Sequence, residues 1–329
     1  CPRRRPFGLR RRSGARVSLL PTLLVIGAAK AGTTSLHRCL GQHPEIHMSP
    51  VKEPNFFALS GRPADFRGPR DPERINRWSV SRLADYQALF EPGSGRLARG
   101  ESSVAYLYAA NAPAAIHDLV PDVKLVAVLR DPAERAWSTY LYMVLNGLEP
   151  AGTFEEALRL EPSRIEAGWQ HIWHYRRMGF YHEQLARYFA RFPKEQIRVY
   201  LYDDFCEDPR GLLADLFRFL GVDDRFEPRL GSRENASAMP RHRALHEFLN
   251  GRSAAKRWLQ QAIPAPWRAR VSRVMHRWNL VRPPLDPDVR ARLVREYRSD
   301  ILRLENLIGR DLAAWLAVPA GETGTLQHD

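Results

Sequence analysis

The stretch Thr22-Leu-Leu-Val-Ile-Gly-Ala-Ala-Lys-Ala-Gly-Thr-Thr-Ser35 decides the fold of this chain. Its first five residues are aliphatic or β-branched and end at Gly27, as expected of a parallel strand that is buried on both faces. The residues that follow predict a helix over 33–40, stopped by Gly41 and Pro44. The stretch therefore predicts one strand-loop-helix unit.

A second unit of the same kind begins about a hundred residues later. Lys124-Leu-Val-Ala-Val-Leu129 repeats the buried-strand pattern, and Asp131-Pro132 supplies an N-cap and a first-turn proline for a helix through Val144. A third strand is predicted over 196–201. Alternating strands and helices favour an α/β fold of the P-loop-like, three-layer kind, with a central, mostly parallel sheet flanked by helices.

The remaining elements are predicted to be helical. Thr153-Phe-Glu-Glu156 matches a capping box, 181–192 carries one apolar face, and Asp208-Pro209 caps a further helix. From Arg241 onward the pattern is helical and ends with a helix over 288–315. We find no internal repeat.

Composition and charge limit the class of protein. The chain has 329 residues, 44% of them hydrophobic, and a formal net charge of +13. We expect a basic, disordered tail over 1–18, a single domain over 19–320 and a flexible tail over 321–329. Lysine accounts for only five of the 50 basic residues. This skew is typical of codon bias rather than of a nucleic-acid-binding surface. The positive charge still favours anionic ligands, of which a nucleotide, a sulfated glycan and an anionic lipid stay open.

Three scattered cysteines, Cys1, Cys39 and Cys206, form neither a disulfide framework nor a metal motif. We therefore expect a reducing, cytoplasmic location. The sequence given begins without Met, so an upstream signal or anchor stays open, as does peripheral contact with a membrane. The apolar run 17–29 is too short to span a bilayer, and the single sequon at Asn235 carries little weight.

The loop after the first strand is suited to anion binding. Free backbone amides and the helix dipole attract phosphate at such a turn. Its glycines have the spacing of a Walker A motif, but Thr33 stands where that motif needs lysine, and the loop lysine is Lys30. A kinase needs that missing lysine and a Mg²⁺ ion on its triphosphate. The loop therefore disfavours a kinase.

Two motifs resemble those of the sulfotransferases that use 3′-phosphoadenosine 5′-phosphosulfate (PAPS). Lys30-Ala31-Gly32-Thr33-Thr34-Ser35 resembles their 5′-phosphosulfate loop. Arg130-Asp-Pro-Ala-Glu-Arg-Ala-Trp-Ser138 is similar to their 3′-phosphate element, in which an Arg and a Ser eight positions later hold the phosphate. The resemblance implies PAPS as co-substrate, 3′-phosphoadenosine 5′-phosphate (PAP) as product, and no metal.

The same resemblance implies a set of catalytic residues. Pro50-Val-Lys-Glu-Pro-Asn-Phe-Phe57 resembles the segment that carries the catalytic Glu in bacterial and heparan-sulfate-type members, which makes Glu53 the general base. Lys30 is then placed to stabilise the leaving group, with help from Lys52. Without the resemblance, composition favours a surface Lys–Glu pair in this segment.

Two further segments extend the resemblance to residues 22–316. Gly100-Glu-Ser-Ser-Val-Ala-Tyr106 resembles the strand-to-helix element near the acceptor, but Ser102 stands where glycan-specific relatives often have Lys. The run from Tyr297 to Trp315 resembles the terminal helix, with Leu302, Leu304, Leu307 and Trp315 packing. The segment 235–243 loosely resembles a nucleotide-contact loop. The implied acceptor is a carbohydrate, a glycolipid or another small molecule.

The sequence leaves alternatives open for the base, for two tryptophans and for the function. His37, His43, His47, His171 and His174 are competing candidates for the base, although an isolated His is more often a packed or surface residue. Trp169 and Trp173, four residues apart on a predicted helix, line an acceptor site or pack in the core. A non-catalytic nucleotide- or nucleic-acid-binding protein and a degenerate P-loop kinase are the competing functions.

Overall fold

A computed structural model describes residues 19–230 and 283–318 in full, and the backbone of residues 239–240 and 280–281. The segment 235–243, the sequon at Asn235, both predicted tails and most of the predicted helices between 241 and 280 lie outside the fully described residues.

Five strands form one central sheet in which every pairing is parallel. They are β1 (Leu23–Gly27), β2 (Ile46–Met48), β3 (Ala98–Ser102), β4 (Lys124–Leu129) and β5 (Ile197–Leu201). Their order across the sheet is β2-β3-β1-β4-β5, so β1 lies between β3 and β4. Two short strands, β6 (Met239–Pro240) and β7 (Leu280–Val281), form a separate antiparallel pair.

Helices connect the strands and flank the sheet. The first six are α1 (Thr33–Leu40), α2 (Phe56–Leu59), α3 (Ile75–Trp78), α4 (Leu83–Ala88), α5 (Ala105–Tyr108) and α6 (Ala112–Leu119). They are followed by α7 (Pro132–Leu145), α8 (Phe154–Glu166), α9 (Tyr181–Phe189), α10 (Tyr202–Glu207), α11 (Pro209–Leu220), α12 (Pro287–Ile308) and α13 (Ala313–Leu316). This arrangement confirms the predicted α/β class.

Burial explains why the apolar runs form the centre of the sheet. All five residues of β1 are buried, and so are the last five of β4. A strand with helices on both of its faces can have no polar side, which is why both runs read as continuously apolar. The predicted strands over 22–26 and 124–129 are therefore confirmed to within one residue.

The predicted caps also form. Asp131 accepts hydrogen bonds from the backbone amides of Ala133 and Glu134 at 2.9 and 3.1 Å, and Pro132 opens α7. Thr153 Oγ1 accepts from the amide of Glu156 at 3.2 Å at the start of α8. Such side-chain caps replace hydrogen bonds that the first turn of a helix lacks.

The C-terminal helix differs from its prediction. The predicted helix over 288–315 is divided into α12 and α13, because Gly309 adopts a left-handed φ of +64° that ends α12. Leu304 and Trp315 are buried as expected, but Leu302 is 40% exposed, so its predicted packing role was wrong. Across the described residues, none of the helices combines the length and the apolarity that crossing a bilayer needs.

Candidate active site

A cavity of about 650 Å³ opens at the edge of the sheet where the parallel strands end. Its walls come from the loops after β1, β3 and β4, from the segment after β2, and from α1, α7 and α10. Ligands of open α/β sheets bind outside the carboxyl ends of the strands, so the fold itself favours this place. The predicted residues found in its wall are Lys30, Gly32, Thr33, Thr34, Ser35, Lys52, Glu53, Arg130 and Ser138.

The loop after β1 owes its shape to two left-handed residues. Lys30 has a φ of +62° and Gly32 a φ of +85°. A Cβ atom at Gly32 would also lie 3.3 Å from the ring of Phe205, so this position needs glycine for both conformation and space. The turn brings the amino-terminal end of α1 to the cavity, and backbone amides at such a helix start are suited to binding an anion. Ala31 is fully buried behind the loop.

Arg130 joins the two motifs that lie a hundred residues apart. It follows β4, and its Nη1 donates to the backbone oxygen of Lys30 at 3.2 Å. Its Nη2 lies 3.5 Å from Oε2 of Glu134, and the guanidinium is 4.9 Å from the ring centre of Tyr202. Ser138, on the second turn of α7, is part of the same wall. The guanidinium is thus held in place at the cavity.

The segment after β2 carries the predicted base. Lys52 Nζ donates to Glu53 Oε1 at 2.7 Å, which is the Lys–Glu pair expected from composition, but here it lines the cavity. The amide of Glu53 donates to the backbone oxygen of Ser102, the last residue of β3, at 2.9 Å. Lys30, in the loop after β1, lines the same cavity, and its Nζ lies 4.4 Å from the ring centre of Tyr142. Both lysines and the carboxylate therefore share one cavity.

A buried carboxyl group lies behind this segment. Glu101 of β3 is fully buried and receives hydrogen bonds from Tyr86 Oη at 3.1 Å and Ser103 Oγ at 2.8 Å. Tyr106 forms a further hydrogen bond with the same carboxyl group. Burial, reinforced by the nearby charge of Glu53, raises the pKa of Glu101 to about 7. The hydrogen bonds oppose this shift without cancelling it.

The structure separates the five candidate histidines. His43 and His47 bond backbone oxygens of Asp223 and Leu89, each at 2.9 Å, and neither lines the cavity. His37 is held 3.0 Å from Ser102 Oγ, and burial together with the charge of Lys52 lowers its pKa to about 4. His171 does line the cavity, and burial lowers its pKa to about 4.

His174 lies behind His171, with Nδ1 2.9 Å from Tyr108 Oη, and burial lowers its pKa to about 3. It is not part of the cavity wall. Among the five candidates, His171 is therefore the histidine whose side chain faces the space that holds Glu53.

Part of the cavity wall is made of neutral residues. Val104 and Ala105 follow β3, and Gln170, His171 and Ile172 follow α8. Trp169 and Trp173 lie outside this wall. The helix predicted for them was wrong, because α8 ends at Glu166 and Trp173 lies in a 3₁₀ turn. Trp173 is fully buried beneath the guanidinium of Arg164, so core packing is its role.

Among the described residues, no group of three His, Cys, Asp or Glu side chains lies close enough together to hold a metal ion.

The parallel sheet, the glycine-containing loop after β1 and the arginine that contacts this loop from β4 define an α/β protein of the sulfotransferase class. The chain belongs to the sulfotransferase family, whose family model matches residues 21–228. A solved sulfotransferase from Alicyclobacillus acidocaldarius is 32% identical, with a TM-score of 0.72, and the match covers 91% of this chain and 99% of that one. The family resemblance predicted from the motifs is confirmed.

Two curated human proteins are more distant relatives. The bifunctional heparan sulfate N-deacetylase/N-sulfotransferase 3 is 26% identical over 309 residues, which cover 90% of this chain and 31% of that protein. The heparan sulfate glucosamine 3-O-sulfotransferase 3B1 is 28% identical over 212 residues, 64% of this chain and 48% of that protein. The chain thus spans less than half the length of these curated relatives.

Sequence reasoning missed several residues that shape the cavity. Tyr142 and Tyr202 place their rings beside Lys30 and Arg130. The sequence did contain a signal for both, because Tyr142 follows Ser138 by one helical turn and Tyr202 comes directly after the apolar run of β5. The position of Glu101 behind the Glu53 segment had no such signal, since it depends on the pairing of β2 with β3.

Proposed function

We propose that this chain transfers a sulfuryl group from PAPS to a hydroxyl or amine of an acceptor and releases PAP. One observation carries the proposal: Arg130 Nη1 lies 3.2 Å from the backbone oxygen of Lys30, so that two motifs distant in sequence form one wall of a single cavity. The segment after β2 contributes Glu53 to the same cavity. Membership of the sulfotransferase family supports this proposal over a kinase or a non-catalytic nucleotide-binding protein.

The donor would be held at its two anionic ends. The loop amides and the side chains of Lys30, Thr33, Thr34 and Ser35 would receive the 5′-phosphosulfate at the start of α1. Arg130 and Ser138 would hold the 3′-phosphate, because a guanidinium forms strong, charge-assisted hydrogen bonds with phosphate. The +13 net charge would favour approach of so anionic a nucleotide.

The reaction needs one base and one cationic group. The acceptor oxygen attacks sulfur while its proton passes to the Glu53 carboxylate. The bond between sulfur and the bridging oxygen breaks, and the electron pair of that bond stays on the phosphate of PAP. Lys30 stabilises the charge that develops there, and Lys52 assists from beside Glu53. Atoms and charge balance without a metal or a covalent intermediate.

The acceptor is proposed to be a carbohydrate, a glycolipid or another small molecule. The curated relatives act, by their names, on heparan sulfate. The cavity wall also includes the neutral residues Val104, Ala105, Gln170, His171 and Ile172, and the uncharged part of the acceptor is proposed to lie against them. Labelled PAPS offered with neutral glycans, glycolipids, phenols and heparan fragments would rank these classes.

The proposed location is the cytoplasm, with peripheral contact to membrane lipids still open. Cys39 and Cys206 are both free thiols, as a reducing compartment would keep them. No nucleic-acid partner is proposed.

The test of the catalytic assignment is Glu53→Gln. The change keeps the size of the side chain but removes its ability to accept a proton, so turnover should fall by roughly a hundredfold or more while PAP affinity and the midpoint of thermal unfolding stay close to those of the native protein. Lys30→Ala should instead impair both nucleotide binding and turnover, because this lysine touches the donor in the ground state and the leaving group.

Glu73→Gln is the matched control, since Glu73 is exposed and lies outside the cavity wall. Near-normal turnover of Glu53→Gln would move the assignment of the base to His171. Thermal shifts measured separately with PAP and with Mg-ATP test the donor, because a specific ligand raises the midpoint according to its affinity. A shift with Mg-ATP and none with PAP would favour the kinase.

A further inference from the structure

Glu101 takes no part in the proposed reaction, yet it is the centre of a polar cluster inside the core. Its carboxyl group receives hydrogen bonds from Tyr86 at 3.1 Å and from Ser103 at 2.8 Å, and it also bonds Tyr106. Buried carboxyl groups are costly and need such partners. An apolar residue at this place in β3 would have extended the apolar core around it, so the cluster calls for a functional explanation.

Two of these three hydroxyls also hold the segment that carries Glu53. The amide of Asn55 donates to Ser103 Oγ at 3.1 Å, and the amide of Phe57 lies 3.5 Å from Tyr106 Oη. The third hydroxyl, that of Tyr86, donates to Glu101 but forms no hydrogen bond with the Glu53 segment. Glu101 is therefore linked to the catalytic segment through Ser103 and Tyr106.

The segment needs to be held because its backbone is unfavourable. Glu53 and Asn55 have φ values of +62° and +59°, left-handed conformations that residues other than glycine rarely adopt. The side-chain amide of Asn55 donates to the backbone oxygen of Glu53 at 2.8 Å and ties the turn together. Such strain persists only where the surroundings determine it, and it is concentrated at functional sites.

The direction of the hydrogen bonds explains why the central residue is a carboxylate. A hydroxyl has a single proton, so a serine that donates to Glu101 must present a lone pair to the amide of Asn55. Above its pKa of about 7 the Glu101 carboxylate is ionised and can only accept, and it therefore fixes this direction for Ser103 and for Tyr106 alike. A side-chain amide at position 101 would offer one accepting oxygen instead of two, so it could not accept from Tyr86, Ser103 and Tyr106 together.

We propose that Glu101 is a positioning residue for the reaction: it fixes the donor direction of Ser103 and Tyr106, and these hydroxyls hold the Glu53 segment in its strained, productive conformation. The inference rests on the proposed role of Glu53 as the base. It assigns to Glu101 no contact with donor or acceptor.

The primary test compares Glu101→Gln with Tyr86→Phe. Both change a hydrogen bond of the buried cluster, but only the first changes the group that accepts from Ser103. The assays are run above the pKa of Glu101, about 7, where its carboxylate is ionised. Glu101→Gln should lower kcat by roughly 10- to 100-fold, the scale of a misplaced catalytic group, with KM for PAPS and the affinity for PAP within about twofold of native. Tyr86→Phe should keep native kcat even where it lowers the unfolding midpoint.

Ser103→Ala is the second variant and decides the question if Glu101→Gln does not fold. It removes the acceptor of the Asn55 amide and leaves Glu101 in place, so it should lower kcat in the same way. Normal kcat in both folded variants, or in Ser103→Ala when it alone folds, would overturn the inference. An equal loss of kcat in Tyr86→Phe and Glu101→Gln would also overturn the inference. Any damage to the buried cluster would then lower kcat, whether or not it touches the hydroxyls that hold the Glu53 segment.

A double-mutant cycle separates this inference from the proposed function. If Glu101 acts through Glu53, the loss caused by Glu101→Gln should largely vanish in the Glu53→Gln background, because the group being positioned is already inactive. Additive losses would overturn the positioning role. Normal turnover of Glu53→Gln would refute the proposed base itself, whereas loss in Glu53→Gln with normal turnover in both Glu101→Gln and Ser103→Ala would refute only the inference.

Discussion

At the scale of single residues, the cavity depends on side chains that neighbouring backbone groups hold in place. Lys30 adopts a left-handed conformation, its backbone oxygen accepts from Arg130, and its ammonium lies over the ring of Tyr142. Arg130 is in turn held by Glu134 and by the ring of Tyr202. Groups restrained in this way lose less conformational entropy when they bind a ligand.

Arg130→Ala should weaken binding of PAPS far more than binding of adenosine 5′-phosphosulfate, which lacks the 3′-phosphate. Losing charge-assisted hydrogen bonds to a phosphate costs roughly 10- to 100-fold in affinity. Calorimetric titration of both nucleotides measures the two losses. Arg295→Ala, at an exposed position of α12, is the control. Equal losses for the two nucleotides would show that Arg130 does not hold the 3′-phosphate.

At the scale of elements, the buried strands and capped helices were predictable because their signals are local. The apolar runs of β1 and β4 and the caps of α7 and α8 are each encoded within a few neighbouring residues. The loop of Lys30 and the Arg130–Ser138 element were found from sequence for the same reason. Their meeting in one cavity follows from the adjacency of β1 and β4.

The elements that sequence reasoning missed depend on distant contacts. Strand β2 has only three residues, too few for a periodic pattern, and it exists because it pairs with β3. Trp169 and Trp173 have helical spacing but follow the end of α8, where packing against Arg164 determines their place. Leu302 faces solvent because it lies off the buried face of α12, which runs through Leu293, Tyr297, Ile301 and Leu304.

Asp131 links two elements, and two substitutions separate its contributions. Its Oδ1 caps α7, and its Oδ2 receives Arg290 Nη2 of α12 at 2.8 Å. Asp131→Asn keeps a capping oxygen and removes the charge, whereas Asp131→Ala removes both, so the alanine variant should be less stable than the asparagine variant by about 1 kcal/mol. Urea unfolding without ligand measures the difference. Equal stabilities would mean that the cap contributes nothing.

At the scale of the whole molecule, charge is directed toward an anionic donor. The net charge is +13, and the described cavity wall includes Lys30, Arg38, Lys52, Arg130 and Arg229. A sulfuryl group carries one negative charge, so lysines can stabilise it without the divalent ion that a triphosphate requires.

Activity should therefore survive exhaustive chelation. The measurement is the rate of PAP formation after dialysis against EDTA, with and without added Mg²⁺. A Mg²⁺-dependent kinase assayed in the same buffers shows that chelation is complete. Loss of activity with EDTA and its recovery with Mg²⁺ would contradict the proposed mechanism.

Three histidines should contribute stability that rises with pH between about 4 and 6.5, because the folded protein holds them in their neutral form. Burial, with the charge of Lys52 at His37 and of His171 at His174, lowers the pKa of His37 and His171 to about 4 and that of His174 to about 3. The unfolded chain, with histidine pKa values of about 6.5, binds more protons in this window, so acid favours unfolding.

Each such histidine contributes a slope of up to about 1.4 kcal/mol per pH unit to the free energy of unfolding. Glu101 opposes this trend, because its raised pKa means that the folded state binds the extra proton between about 4.5 and 7. Urea unfolding of the native protein and of His171→Gln, repeated from pH 4.5 to 7, gives the free energy of unfolding against pH for each. The difference between the two slopes is the contribution of His171. The variant should have the shallower slope below pH 6.5, and identical slopes would show that His171 is not held neutral.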